Sequence, residues 1–162
     1  MDPNDDKPKD KRADRRALSS GARFYAVQAL YQMEAAGQSA DRVIREFELY
    51  RLDAEDEAGQ SLPADEALFA RLVDAAVTWQ SRIDQATDRG LVARWPIDRI
   101  DPVLRALFRA AGAELVTPQT PPKVVITEYV RLAEAFFPEG REPKFVNAVL
   151  DHVARELRPE AF

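Results

Sequence analysis

The stretch ARFYAVQALYQ, residues 22–32, decides how this chain is read. On a helical period Ala22, Tyr25, Ala26, Ala29, Leu30 and Met33 fall on one stripe, the pattern of a core-facing helix. The opposite side should then be polar. Instead it carries Phe24, Val27, Gln28 and Tyr31 beside Arg23, a mixture too apolar for a solvated face and too polar for a core. A second surface is expected to cover it.

Upstream of this stretch the chain is basic. Lys7, Lys9, Lys11, Arg12, Arg15 and Arg16 lead toward Arg23, whereas residues 46–66 are strongly acidic. The formal net charge is −5, which alone argues against a nucleic-acid partner. What a mobile arm attracts, however, depends on the field within a Debye length of about 8–10 Å, not on the total. Residues 1–18 carry two prolines and no apolar period, so burial cannot repay the entropy of ordering them, and a flexible basic arm is expected. A solvated tail kept polar for solubility is the plainer alternative.

The remaining 19–162 reads as one helical domain. A first helix is expected over residues 20–36, capped by Ser19 or Ser20 and stopped at Gly37. Ser39 caps a second over residues 40–52, with Val43, Ile44, Phe47 and Tyr50 as its apolar stripe. After an acidic loop, Pro63 is placed in the first turn of a long segment carrying Leu68, Leu72, Ala75, Ala76, Trp79 and Ile83. A break is expected near Gln80 or Ser81. Ala93, Arg94, Trp95 and Pro96 lead to Asp101-Pro102, an acidic cap with proline at the first helical position. Leu104, Leu107, Phe108, Ala111 and Leu115 then share a face. The proline-rich TPQTPP loop precedes two more helices, the last ending before Pro159. No alternation at period two persists, so the fold is all-α with about seven helices.

Composition removes most enzymatic chemistry. The chain has no cysteine and one histidine, so thiolate chemistry, disulfides and multi-histidine metal clusters are excluded. His152 reads as a surface or packing residue, and Glu114, near the edge of its helix's apolar stripe, as one half of a structural ion pair. No phosphate-cradling glycine motif is present, and neither a catalytic residue, a metal nor a cofactor is expected. No apolar run approaches the roughly 20 residues that span a bilayer, so a soluble cytoplasmic protein is expected, with no membrane partner.

Nucleic-acid chemistry fares better. Lys123 and Thr127 stand four residues apart, on a face away from the Val125, Tyr129 and Phe136 stripe. Lys144, Phe145 and Asn147 open the last helix, where free N–H groups and lysine suit phosphate, an aromatic edge suits stacking and an amide suits a base edge. On spacing alone, a core Phe145 and a merely polar Asn147 are the plainer reading.

Four blocks carry a family resemblance: ARFYAVQALYQ, ALFRAAGAEL at 106–115, PPKVVITEYVRLAEAF at 121–136 and KFVNAVLD at 144–151. In this order and spacing they resemble the NusB family of transcription antitermination factors. The resemblance implies two packed helical subdomains without catalytic activity. It also implies binding to single-stranded boxA-type RNA of ribosomal RNA operon transcripts, pairing with NusE, a small-subunit ribosomal protein, and a place in the antitermination complex on RNA polymerase. It assigns Arg23, with Arg12, Arg15 and Arg16, to RNA. Gln28, Lys123, Thr127, Lys144, Phe145 and Asn147 complete the expected RNA set, and Tyr31, with Phe24 and Val27, is expected at a protein surface.

In this sequence LSSG with flanking alanines stands where basic residues often precede the first helix, so the arginines lie further upstream. A NusB-like domain also begins an RNA cytosine methyltransferase, but this chain ends without a cofactor-binding domain, so the free factor is expected. The spare face of the first helix could also pair with a second copy when no partner is present. A helical protein-interaction adaptor that binds no RNA is the rival from another class.

Overall fold

The computed structural model describes residues 8–91 and 96–162, with side chains from Asp14 onward in the first helix. Among these residues run seven α-helices and a closing 3-10 turn. They are α1 (Pro8–Ala36), α2 (Ala40–Tyr50), α3 (Glu66–Thr78), α4 (Gln80–Gly90), α5 (Pro102–Val116), α6 (Pro122–Phe136) and α7 (Glu142–Leu157), followed by Pro159–Ala161. No helix among the described residues is long and apolar enough to cross a membrane.

Several starts follow from local capping chemistry. Side-chain oxygens of Ser39, Asp65 and Asp101 accept from the backbone N–H groups of Arg42, Leu68 and Val103, satisfying donors that the first helical turn leaves unpaired. Pro63 does not open α3 as expected, because Asp65 holds the cap two residues later. The expected break in the long segment falls at Trp79, which ends α3 and precedes α4. Trp79 is 45% exposed and Tyr50 72% exposed, so neither joins the apolar stripe that its spacing suggested. Each stands at the end of its helix, beyond the core beneath.

The largest departure is at the arm. Helix α1 begins at Pro8, twelve residues before the expected start near Ser20, so residues 8–18 are helical. Residues 14–17 are exposed, and burial does not explain this. Propagation does. Once residues 18–36 are packed, each further residue needs no new nucleus, and the alanines, arginines and lysines upstream are strong helix formers, with Pro8 in the first turn, where proline is tolerated. Lys7 lies outside the described residues, as do Ala93, Arg94, Trp95 and the side chains of Lys9, Lys11 and Arg12.

Helices α1–α3 form one group and α4–α7 a second, and α5 joins them by packing on α1, α3, α4, α6 and α7. Its sequence suits that position. Ala106, Ala110, Ala111, Gly112 and Ala113 are all buried among Leu104, Leu107, Phe108 and Leu115, so neighbouring helices approach closely. At Gly112 an added Cβ would stand 2.3 Å from Ile83 Cγ2 of α4.

Gly21 makes the corresponding contact on α1. The Asp65 N–H donates to the Leu18 carbonyl at 2.9 Å, drawing the segment before α3 onto α1 until an added Cβ at Gly21 would lie 1.9 Å from the Pro63 carbonyl oxygen. In an open helix Gly→Ala gains about 0.5–1 kcal/mol. Here the obstacle is backbone, and overpacking of this kind costs about 1–3 kcal/mol. Gly21→Ala should therefore melt a few degrees below wild type in a thermal scan, and a variant melting at or above wild type would contradict this packing.

Candidate nucleic-acid interface

Helix α1 crosses α5 so that Arg23 faces Glu114. The Arg23 Nε and Nη2 groups donate to the two Glu114 carboxylate oxygens at 2.9 and 2.8 Å, a bidentate pair 6% and 2% exposed. Glu114 thus sits in the structural ion pair expected of it. The guanidinium of Arg23, expected at RNA, is engaged inside the protein: two arms of its fork meet Glu114 and Nη1 lies 3.7 Å from Glu128. Burial opposes the Arg23 charge, but the hydrogen bond and the negative charge of Glu114 outweigh it and hold the guanidinium above its ordinary pKa.

Beside this pair is a groove of about 480 Å³ between α1 and α6, lined by Arg15, Arg16, Ser19, Arg23, Lys123, Val124, Thr127, Glu128 and Arg131. It brings together two sets that the sequence suggested separately, the arginines of the arm and the Lys123–Thr127 face. Arg131 was missed, although it follows Thr127 by four residues and Lys123 by eight and so shares their face.

The KFVN corner lies elsewhere. Arg158 Nη1 donates to the Thr120 carbonyl at 3.4 Å, which places the end of α7 beside the start of α6, so the two helices run antiparallel. Lys144 therefore stands near the far end of α6 from Lys123, about 20 Å away at a rise of about 1.5 Å per residue. Lys144 and Asn147 are exposed. Phe145 is half-buried, its ring edge-to-face with Phe108 at a centroid distance of 6.0 Å, so the aromatic belongs partly to the core and leaves only part of its surface free.

The second face of the first helix is covered largely by the chain itself. Val27 is 1% exposed, and the Phe24 ring stacks on Phe136 of α6 at 5.6 Å with 10° between planes. Helix α1 is packed here between α2, α3, α5 and α6, and Val27, though buried, lines the cavity beside Tyr31. Tyr31, 44% exposed, remains. It borders a cavity of about 420 Å³ with Gln28, Phe47, Arg51, Val103 and Phe136 among its walls. Gln28 therefore lines this cavity and not the basic groove, as its spacing of three from Tyr31 dictates.

Comparison with known proteins agrees with this architecture. The model of the NusB family matches residues 20–155. The chain belongs to the NusB family. It is 46% identical to the transcription antitermination protein NusB of Maricaulis maris over 91% of this chain and 92% of that protein. Its identity to the Caulobacter vibrioides counterpart is also 46%, over 86% and 93%. Among solved structures, T. maritima NusB superposes with a TM-score of 0.69 at 26% identity, covering 87% of this chain and 93% of that one. NusB from a complex of the antitermination factors NusB and NusE with dsRNA superposes at 0.67 and 27% identity, covering 85% and 96%. This is an all-helical family of transcription antitermination proteins, not of enzymes.

Tyr129 completes the buried cluster, with its hydroxyl 3.1 Å from Glu114 Oε1 and 3.3 Å from the Ala110 carbonyl. Burial first, and then the negative charge of Glu114, push this phenol well above its ordinary pKa of 10.0. A group raised in the folded state contributes stability that is complete below its unfolded value and lost as pH rises through the folded one. Unfolding free energy should therefore decline on the alkaline side, and Tyr129→Phe should flatten the decline above about pH 10 in urea titrations taken between about pH 9 and pH 11. An alkaline decline as steep as wild type would contradict the assignment.

Proposed function

We propose that this chain binds boxA-type RNA of ribosomal RNA operon transcripts together with NusE, and acts within the complex on RNA polymerase that resists premature termination in the bacterial cytoplasm. The observation that carries this reading is the α1–α6 groove. A protein of net charge −5 concentrates Arg15, Arg16, Lys123 and Arg131 around one cleft. Phosphate contacts there position RNA, and the exposed Lys144 and Asn147 beside Phe145, at the other end of α6, supply the base-reading corner.

NusE is assigned to the cavity beside Tyr31. This surface has the makings of a protein contact: an aromatic rim residue, an apolar floor of Phe47, Val103 and Phe136, and Arg51 at the edge. A solved relative was crystallised with NusE and RNA together, which supports two partners on one helical scaffold. Groove and cavity lie toward opposite ends of α1, so both can be filled at once. A second copy of the chain is the alternative occupant of the Tyr31 face when NusE is absent.

The test is a calorimetric titration of a short boxA-type RNA at two salt concentrations, with and without NusE, using wild type and Tyr31→Ala. Each phosphate held on a single strand should add about 0.7 to the slope of log affinity against log salt. Tyr31→Ala should weaken NusE by about 1–3 kcal/mol, as a buried aromatic anchor does, and leave RNA binding without NusE unchanged. Salt-independent or absent RNA binding, with NusE still bound, would leave the adaptor reading. Undiminished NusE binding by folded Tyr31→Ala would assign that face to dimerisation.

A further inference from the structure

Glu128 is an acid inside the basic groove, and each of its oxygens is engaged differently. Oε2 accepts from the Ser20 hydroxyl at 3.2 Å and lies 3.7 Å from Arg23 Nη1. Oε1 lies 3.6 Å from Arg131 Nη1. The first oxygen is anchored on two residues of α1, one of them buried. The second holds only a loose pair with a guanidinium that is 67% exposed. We propose that Glu128 is a built-in competitor for RNA phosphate: it pairs with Arg131 in the free protein and yields that arginine to the phosphodiester backbone on binding. This rests on the proposed RNA function of the groove and adds a residue that tunes it.

The chemistry favours exchange. An exposed pair at this separation gains little in water and is screened by salt. A phosphate can offer the same guanidinium two short charge-assisted hydrogen bonds. When Arg131 turns to RNA, Ser20 and Arg23 keep Glu128 in place, so one negative charge remains in the groove wall. That charge excludes phosphate from the position beside Arg23 and directs the backbone toward Arg15, Arg16, Lys123 and Arg131. The acid thus lowers affinity and sets where the strand lies.

The experiment titrates the full-length chain with a short boxA-type RNA at two salt concentrations. The proteins are wild type, Glu128→Gln, Arg131→Ala, the double variant, Lys144→Ala, and Glu134→Gln as an exposed acid of α6 outside the groove. Glu128→Gln should tighten binding several-fold and Glu134→Gln much less. Arg131→Ala should weaken binding and lower the salt slope by about 0.7, and in its background Glu128→Gln should lose most of its gain. The Arg131 side chain is 67% exposed, so its variant tests the idea even if Glu128→Gln fails to fold. Equal gains from Glu128→Gln and Glu134→Gln, or unchanged binding by Arg131→Ala, would overturn the inference. If Lys144→Ala still weakens binding in that case, the RNA reading stands and only the competitor role falls. Absence of RNA binding by wild type overturns both.

Discussion

The buried pair of Arg23 and Glu114 is the constraint on which the rest of the structure depends. Its attraction is offset by the cost of stripping water from both charges, so its net stabilisation is small. Its effect on register is large. Any sliding of α1 along α5 would leave one charge dry and unpaired, at a cost of about 3–5 kcal/mol. With the bidentate contact made at 2.8 and 2.9 Å, Gly21 meets the Pro63 carbonyl, Phe24 meets Phe136, and Ser20 meets Glu128. These contacts fix α1 against both helical groups. A second ionic cluster holds its C-terminal end, where Glu34 pairs with Arg105 and Arg109, and Arg109 also pairs with Asp84.

One helix therefore serves several surfaces. Its N-terminal part borders the basic groove, its middle is buried almost all round, and its C-terminal part presents Tyr31 beside the apolar cavity. Two ligands on such a helix would be linked through a rigid element, since the middle is packed too closely to bend. Linkage then requires any gain in RNA affinity caused by a bound protein to equal the reciprocal gain.

Much of this was legible in the residues. Helical periodicity and the caps at Ser39 and Asp101 placed most elements, because both are local signals. Spacing also placed Lys123 and Thr127 on one exposed face. Three things were not legible. Helical propensity across residues 8–18 was outweighed by an entropy argument that neglected propagation from a packed helix. The partner of Glu114 could not be read, because pairing across 91 residues depends on how α1 crosses α5, so the burial of Arg23 was not foreseen. The unusual second face of α1 signalled a covering surface, but periodicity does not say whose. The chain's own α6 packs on Phe24, while Tyr31 stays exposed.

The most direct test of this account is a double-mutant cycle on the central pair, using Arg23→Met, Glu114→Leu and both together, with urea unfolding and RNA titration on each. Each single variant should lose about 3–5 kcal/mol, because it strands a buried charge, and the double variant should recover most of that loss. Tyr129 keeps the Ala110 carbonyl as an acceptor throughout. The folded double variant should still bind RNA within a few-fold of wild type, since Ser20 continues to hold Glu128 and Arg15, Arg16, Lys123 and Arg131 still line the groove. A double variant as stable as wild type that no longer binds RNA would contradict the account and return Arg23 to the RNA surface.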